Sequence, residues 1–275
     1  MSSRLSIITV NRNNAAGLKK TIESVITQTY RDFEFIIIDG ASEDDSPEII
    51  KEYAGNLSYW ISEPDNGTYN AMNKGVRVAK GEYCLFLNYG DFLIHSKVLE
   101  DIFNKDLTAD IVSGNVLKIR PNNKFRRVSS HENVSLHKLC IHSLPHQATL
   151  IRRILFEETG YYNESYRIVS DWEFFLKALV VHEKSYQHLD IDFSYFRIGW
   201  ISSSSENFFQ SREESFDCLK RLFPKMAEDL MEYRLFYSSS LGQMINLIKK
   251  KRWLYDLIEN GCSLILKSKK IIAGK

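Results

Sequence analysis

The chain has little of what staples or anchors a protein. Only four cysteines occur in 275 residues, and Cys84, Cys140, Cys218 and Cys262 lie far apart, with no C-x-x-C pair and no histidine at zinc-site spacing. That excludes a structural zinc cage or a dithiol motif. No apolar run approaches the roughly 20 residues a membrane-spanning helix needs. Met1 to Arg4 passes directly into the short apolar run Leu5 to Val10, with no room for a signal h-region, so a cytoplasmic protein is expected. Charge of one sign is missing too. The 36 basic and 35 acidic residues leave a net +1, which gives no footing for nucleic acid as a partner. Two phosphate-binding signatures are absent: no G-x-G-x-x-G follows the first apolar run, where Asn11-Arg12-Asn13-Asn14 stands instead, and no G-x-x-x-x-G-K-[ST] occurs. A dinucleotide enzyme and a P-loop protein are thereby excluded.

What is present is a core and a rhythm. At 44% hydrophobic residues the composition suits one large domain, or one domain with an appendage. The apolar run Leu5 to Val10 is followed by Leu18, Ile22, Val25 and Ile26 at helical offsets, then by Phe33 to Ile38 ending at Asp39-Gly40. A short helix is expected after Pro47, a strand at Ser58 to Ile61, a helix from Tyr69 to Ala79 and a buried strand from Tyr83 to Asn88. This alternation predicts an α/β fold with a mainly parallel sheet covered on both faces. Farther on, Ile111 to Ile119 and Ala148 to Ile151 read as strands, Ile168 to Leu179 contains a helix, and Tyr186 to Arg197 forms one or two strands. Ser202 to Ser205 marks a boundary, beyond which the signals are helical.

Polar residues fall at the carboxyl ends of three candidate parallel strands: Thr9 to Asn13, Asp39 to Ser42, and Asn88 to Asp91. Open α/β sheets bind ligands along such a rim, and a nucleotide uses it through carboxylate or amide acceptors and a metal at the diphosphate. The last segment reads either as an oxygen ligand offered to a metal or as a polar turn capping the helix that begins near Ser96.

Four blocks then carry a resemblance in order and spacing: Ser6 to Val25, Gln28 to Ser42, Glu63 through Asn73-Lys74-Gly75 to Tyr83, and Leu87 to Asp91. Together they resemble family 2 glycosyltransferases of the GT-A fold, and are similar to bacterial enzymes that build capsule, O-antigen or colanic-acid-type polysaccharides. The resemblance implies the GT-A fold, a mostly parallel central sheet flanked by helices, over a catalytic domain at 1–205. Residues 1–95 would form its nucleotide-binding half and 96–205 its acceptor half, with a helical extension at 206–275.

It implies an inverting transferase that moves a sugar from a nucleotide-diphosphate donor, UDP ahead of GDP, to a glycan or lipid-linked acceptor in surface polysaccharide synthesis. Thr9, Asn11, Asp39 and Asn88 fall on the nucleotide side, and Asp91 becomes the ligand of a divalent metal, Mn2+ or Mg2+. Where relatives carry further aspartates and an arginine, this chain has Asn88, Gly90 and Met72, so Lys74 is a candidate to supply positive charge to the diphosphate. Asp65 belongs to the nucleotide or to the start of the following helix. Asp171 matches the family's second acidic motif and is the expected general base, with Glu173 in reserve. His146 and Trp172 fall on the acceptor or sugar side; Trp172 reads equally as core.

From Ile245 to Lys275, eight basic residues oppose two acidic ones, a local +6 that suits an anionic membrane surface or else a solvated helix face. Peripheral docking at the inner membrane face is the corresponding expectation. Two other classes share these features: a nucleotidyltransferase, and a non-catalytic protein that keeps the fold.

Overall fold

A computed structural model describes residues 3–119, 124–197 and 205–250. The chain runs β1 (Leu5–Asn11), α1 (Ala15–Ile26), β2 (Phe33–Asp39), α2 (Ser46–Glu52), β3 (Tyr59–Ser62), α3 (Thr68–Val78) and β4 (Tyr83–Phe86). It continues through β5 (Phe92–Leu93), α4 (Val98–Phe103), β6 (Ile111–Ile119), β7 (Phe125–Val128), α5 (Leu136–Ile141), β8 (Thr149–Arg152) and α6 (Ile154–Glu158). The last described elements are α7 (Ser170–Leu176), β9 (Tyr186–Arg197), α8 (Ser205–Leu222), α9 (Ala227–Ser238) and α10 (Ser240–Lys250).

Among the described residues the strands form one sheet in the order β3-β2-β1-β4-β8-β6-β9-β5, with β7 paired to β6. The parallel pairing expected from the βα rhythm holds for β3-β2-β1-β4 and returns between β6 and β9. Beyond β4 the neighbours β8 and β6 join antiparallel, as do β7 and the two-residue β5. The second half is therefore mixed. Tyr186 to Arg197 is one strand, and its pairing with β6 is shifted by irregularities around Asn115.

Both faces of the central strands β1, β2 and β4 are largely buried, which is why these strands read as continuous apolar runs, whereas β3 and β7 are mostly exposed. Ile8, Val10, Ile36, Ile38, Cys84 and Phe86 point into one cluster with α3, α7, α8 and α9. Leu5, Ile7, Phe35, Ile37, Tyr83 and Leu85 alternate into the other, under α1 and α4. From α8 and α9, Cys218, Leu219, Leu230 and Met231 pack into the first cluster. The boundary expected at Ser202 to Ser205 lies almost wholly outside the described residues, as does the basic tail beyond Lys250. No helix among the described residues is long and apolar enough to cross a membrane.

Parallel register carries the strand ends to one edge. Asn11 lies beside Asp39, and the backbone N–H of Tyr89 donates to the carbonyl of Val10 at 3.1 Å. Segments 11–14, 39–44 and 88–91 are thus neighbours on the carboxyl rim of the sheet.

Candidate active site

Three loops build the rim, and each is cross-braced by short polar side chains. Asp39 is fully buried, and its carboxylate accepts from Asn11 Nδ2 at 2.8 Å, the Ser42 backbone N–H at 2.9 Å, and the Ser42 and Ser62 hydroxyls at 2.6 Å each. Four donors meet its roughly four lone-pair positions. Asp39 therefore organises the rim. Thr9 is also fully buried, with its hydroxyl unpartnered among the described residues. Both residues expected on the nucleoside side thus lie fully buried behind the rim. Asn11 Oδ1, buried and unpartnered, is the acceptor the braces leave over.

Asp65 accepts from the Gly67 N–H at 2.9 Å, an Asx turn before α3, so it is not the N-cap itself, which is Gly67. Its other oxygen packs so closely on Gly40 that a Cβ there would collide with it. The Lys74 ammonium donates to Glu63 Oε1 at 2.7 Å and to the Pro64 carbonyl at 3.0 Å, on the loop before α3.

A cleft of about 450 Å³ opens at the end of β4, where Asn88, Tyr89, Gly90 and Asp91 face His146 and Asp171. The turn 88–91 is tied by the Asp91 N–H donating to the Asn88 carbonyl at 2.9 Å, with Gly90 at φ +89°, a conformation that favours glycine. Thr21 of α1 holds it from beneath: its hydroxyl donates to the Asp91 carbonyl at 2.7 Å and accepts from the Gly90 N–H at 3.1 Å. Asp91 is left almost wholly buried, and burial pushes its carboxyl up to about 7, against the pull of nearby His146 and the hydrogen bond from its own turn.

His146 is the hinge of the cleft. Its Nδ1 lies 3.3 Å from Asp171 Oδ2 and its Nε2 lies 3.4 Å from Asn88 Nδ2. Burial alone would lower its proton affinity, but the hydrogen bond and charge of Asp171, with Asp91 behind, raise the ring above its usual value. Asp171 enters from the first turn of α7. Its Oδ1 accepts from the Trp172 N–H at 2.8 Å and from the Tyr69 hydroxyl at 3.1 Å, which also donates to the Ile168 carbonyl at 2.8 Å. The Tyr69 phenol is held well above its ordinary value by burial and then by the Asp171 charge, so it remains a donor.

Trp172, which reads equally as sugar platform or core, packs in the core, and so does Glu173, the reserve base. The Trp172 ring is 2% exposed, donates from Nε1 to the Leu139 carbonyl at 2.6 Å, and lies under the Arg234 guanidinium. Glu173 is 1% exposed and pairs with Lys177 at 3.3 Å and with Arg221. Because α7 turns 100° per residue, only Asp171 of this trio reaches the cleft. Sequence reasoning missed Tyr69, Lys20 and Arg167, which also line it. Lys20 lies 3.7 Å from the Phe92 ring centroid. Tyr69 and Asp171 are 102 positions apart in the chain, and no local pattern announces such a pair.

Among the described residues no three His, Cys, Asp or Glu side chains gather to hold a metal unaided. The residues present still fit a hard divalent cation. Buried Asp91 and the buried, unpartnered Asn88 Oδ1 line the same cleft, and such ions complete their shell with water and phosphate oxygens.

Comparison with known proteins bears on the family and the fold. The family model described as glycosyl transferase family 2 matches residues 6–170. A "PGL/p-HBAD biosynthesis glycosyltransferase" of Mycobacterium bovis is 31% identical over 210 residues, covering 72% of this chain and 79% of that protein. An uncharacterized glycosyltransferase of Mycobacterium tuberculosis is 32% identical over 186 residues, covering 65% of this chain and 70% of that protein. Among solved structures, S. aureus TarS 1-349 in complex with UDP-GlcNAc superposes with a TM-score of 0.67 at 18% identity, covering 87% of this chain and 74% of that one. The mannosyltransferase PcManGT from Pyrobaculum calidifontis, in complex with GDP-Man and Mn2+, gives 0.61 at 14% identity, covering 97% of this chain and 81% of that one. With a GT-A-like sheet, a rim cleft and this match over most of the sheet, the chain belongs to glycosyl transferase family 2.

Proposed function

We propose that the chain is an inverting glycosyltransferase that moves a hexose-type sugar from a nucleotide-diphosphate donor, UDP ahead of GDP, to a hydroxyl of a glycan or lipid-linked acceptor in surface polysaccharide assembly. One observation carries the reading: Asp91, His146 and Asp171 line a single cleft at the carboxyl edge of the parallel strands. The nucleoside end of the donor lies over the rim at Asn11 and Asp65, and the diphosphate lies toward Asn88 and Asp91. There Lys20 and Arg167 supply positive charge. Asp91 and Asn88 Oδ1 would hold a divalent cation, Mn2+ or Mg2+, which when bound neutralises charge on the leaving diphosphate.

Asp171 takes the proton of the acceptor hydroxyl as the acceptor oxygen forms its bond to the anomeric carbon, and the bond from that carbon to the diphosphate breaks on the opposite face. Tyr69 and His146 fix the carboxylate for this step, one on each oxygen. Their grip matters because proton transfer needs a base held within hydrogen-bond reach.

A panel of UDP- and GDP-sugars, with and without Mn2+ or Mg2+ and with release of the nucleoside diphosphate as readout, tests the proposal. Release from one donor, increased by metal, is the expected result. No release from any donor, together with no metal-linked nucleotide affinity, would instead favour a non-catalytic protein with the same fold.

A partner surface also follows from α10, where Leu241, Met244 and Leu247 are each more than half exposed at i, i+3 and i+6, immediately before the basic run Lys249 to Arg252. That pattern supports peripheral docking on an anionic membrane that carries a lipid-linked acceptor.

A further inference from the structure

The segment that delivers Asp171 is held by a carboxylate from far along the chain. Glu214 of α8 is 8% exposed, and its two oxygens accept the backbone N–H groups of Arg167 at 2.9 Å, Ile168 at 2.9 Å and Val169 at 3.2 Å. Gln210, one turn earlier, donates to the same carboxylate at 3.0 Å. The grip on Ile168 is one peptide unit from the chemistry. The Ile168 carbonyl accepts the Tyr69 hydroxyl that also bonds Asp171 Oδ1. Two further residues of the same helix face hold the flanks. Asp217 accepts the Tyr166 hydroxyl at 2.5 Å, and Arg221 pairs with Glu173. Positions 214, 217 and 221 stand at i, i+3 and i+7, one stripe of α8. The helix does not need that stripe for docking, since Cys218 and Leu219 already bury it in the core.

A buried carboxylate costs desolvation, and three main-chain donors are the arrangement that offsets it. What those bonds accomplish is to fix residues 167–169 in one conformation. Arg167 then presents its exposed side chain at the cleft, and Asp171 begins its helix facing Asp91.

We propose that Glu214 is a positioning residue for sugar transfer: its clamp on the main chain of 167–169 sets the placement of Asp171 and Arg167, making the first C-terminal helix part of the acceptor-side machinery. The inference rests on the reading of Asp171 as the base, and its test is arranged so the two fail separately.

Full-length E214Q, nearly isosteric, and E214A are compared with wild type and with E213Q, a change at the exposed neighbour. Backbone amide exchange across 166–171 reports the clamp itself. UDP affinity and the rate of nucleoside diphosphate release report function. In E214Q we expect exchange at 167–169 to rise by about tenfold or more. We also expect kcat to fall by about ten- to a hundredfold, the size of loss that a small misplacement of a catalytic group produces, with a smaller fall of a few-fold in UDP affinity through Arg167. E213Q should match wild type. Unchanged exchange, or kcat within about twofold of wild type, would overturn the clamp, as would UDP affinity falling in step with kcat, which marks a general loss of fold. If wild type releases nucleotide from no donor, the base reading fails, and exchange at 167–169 alone still decides for or against the clamp. Should E214A not fold, E214Q carries the comparison.

Discussion

Asp91 and His146 share a burial problem, and their protonation should be visible in the stability of the protein. Burial raises the Asp91 carboxyl from 3.8 to about 7, so between those values the folded chain binds the proton that the unfolded chain has released. Stability therefore falls as pH rises across that window and levels off above it. His146 is raised above 6.5 by Asp171, so its contribution is full below 6.5 and is lost as pH rises through its folded value, in the same direction. Without metal, the protein is expected to melt at lower temperature at about pH 8 than at about pH 5.5. D91N should flatten the profile and raise Tm at the alkaline end by about 2–4 °C, on the order of 1 kcal/mol in a chain of this size. The same variant should lose metal-linked nucleotide affinity. Thermal melts across pH with chelator present check the first part, and a D91N profile as steep as wild type would contradict it.

Helix α1 works as a brace. On one face, Thr21 ties the turn at Gly90 and Asp91 and Ser24 accepts from the Leu93 N–H at 3.1 Å, while Gln28, just past the end of the helix, donates to the His95 carbonyl at 2.8 Å and accepts from the Leu99 N–H at 3.2 Å. T21A should therefore cost about 1–3 kcal/mol, because it strands a buried carbonyl and a buried N–H, whereas T21S should cost less. Denaturant melts of the two variants measure the difference, and equal costs would show that the methyl group, not the hydroxyl, matters.

How much of this was legible in the sequence depended on locality. The strands from Leu5 and Phe33 stood out as apolar runs because both faces of the sheet are covered, and β6 was legible from Ile111 to Ile119 to the residue. Asp91, His146 and Asp171 are named by the resemblance to the family's motifs, and all three line one cleft. That the Lys74 amine turns back to Glu63 is not legible, because no local pattern announces the contact. Trp172 and Glu173 share a motif with Asp171, and only the helical phase of α7 separates core from cleft. Glu214 was invisible because its partners lie 45 to 47 positions away and are backbone groups, which leave no signature in side-chain identity.

Taken as one body, the chain sets a sealed, cross-braced rim beside an open cleft and carries α8 across to the cleft's far wall. The exposed apolar stripe of α10, with its basic sequel, predicts binding to anionic vesicles that weakens with salt. Replacing Leu241, Met244 and Leu247 with serine should weaken partitioning onto phosphatidylglycerol vesicles by at least about tenfold, a loss reached when only about two of the methylene equivalents removed were buried, at roughly 0.8 kcal/mol each. Undiminished pelleting would remove α10 from the membrane surface.

The whole account turns on Asp171 as the base facing the donor across the cleft. Measuring turnover and nucleotide affinity side by side in D171N tests it most directly. The account predicts nucleoside diphosphate release reduced by about 100- to 10,000-fold, with UDP affinity within about twofold of wild type. Turnover close to wild type in this variant would contradict it.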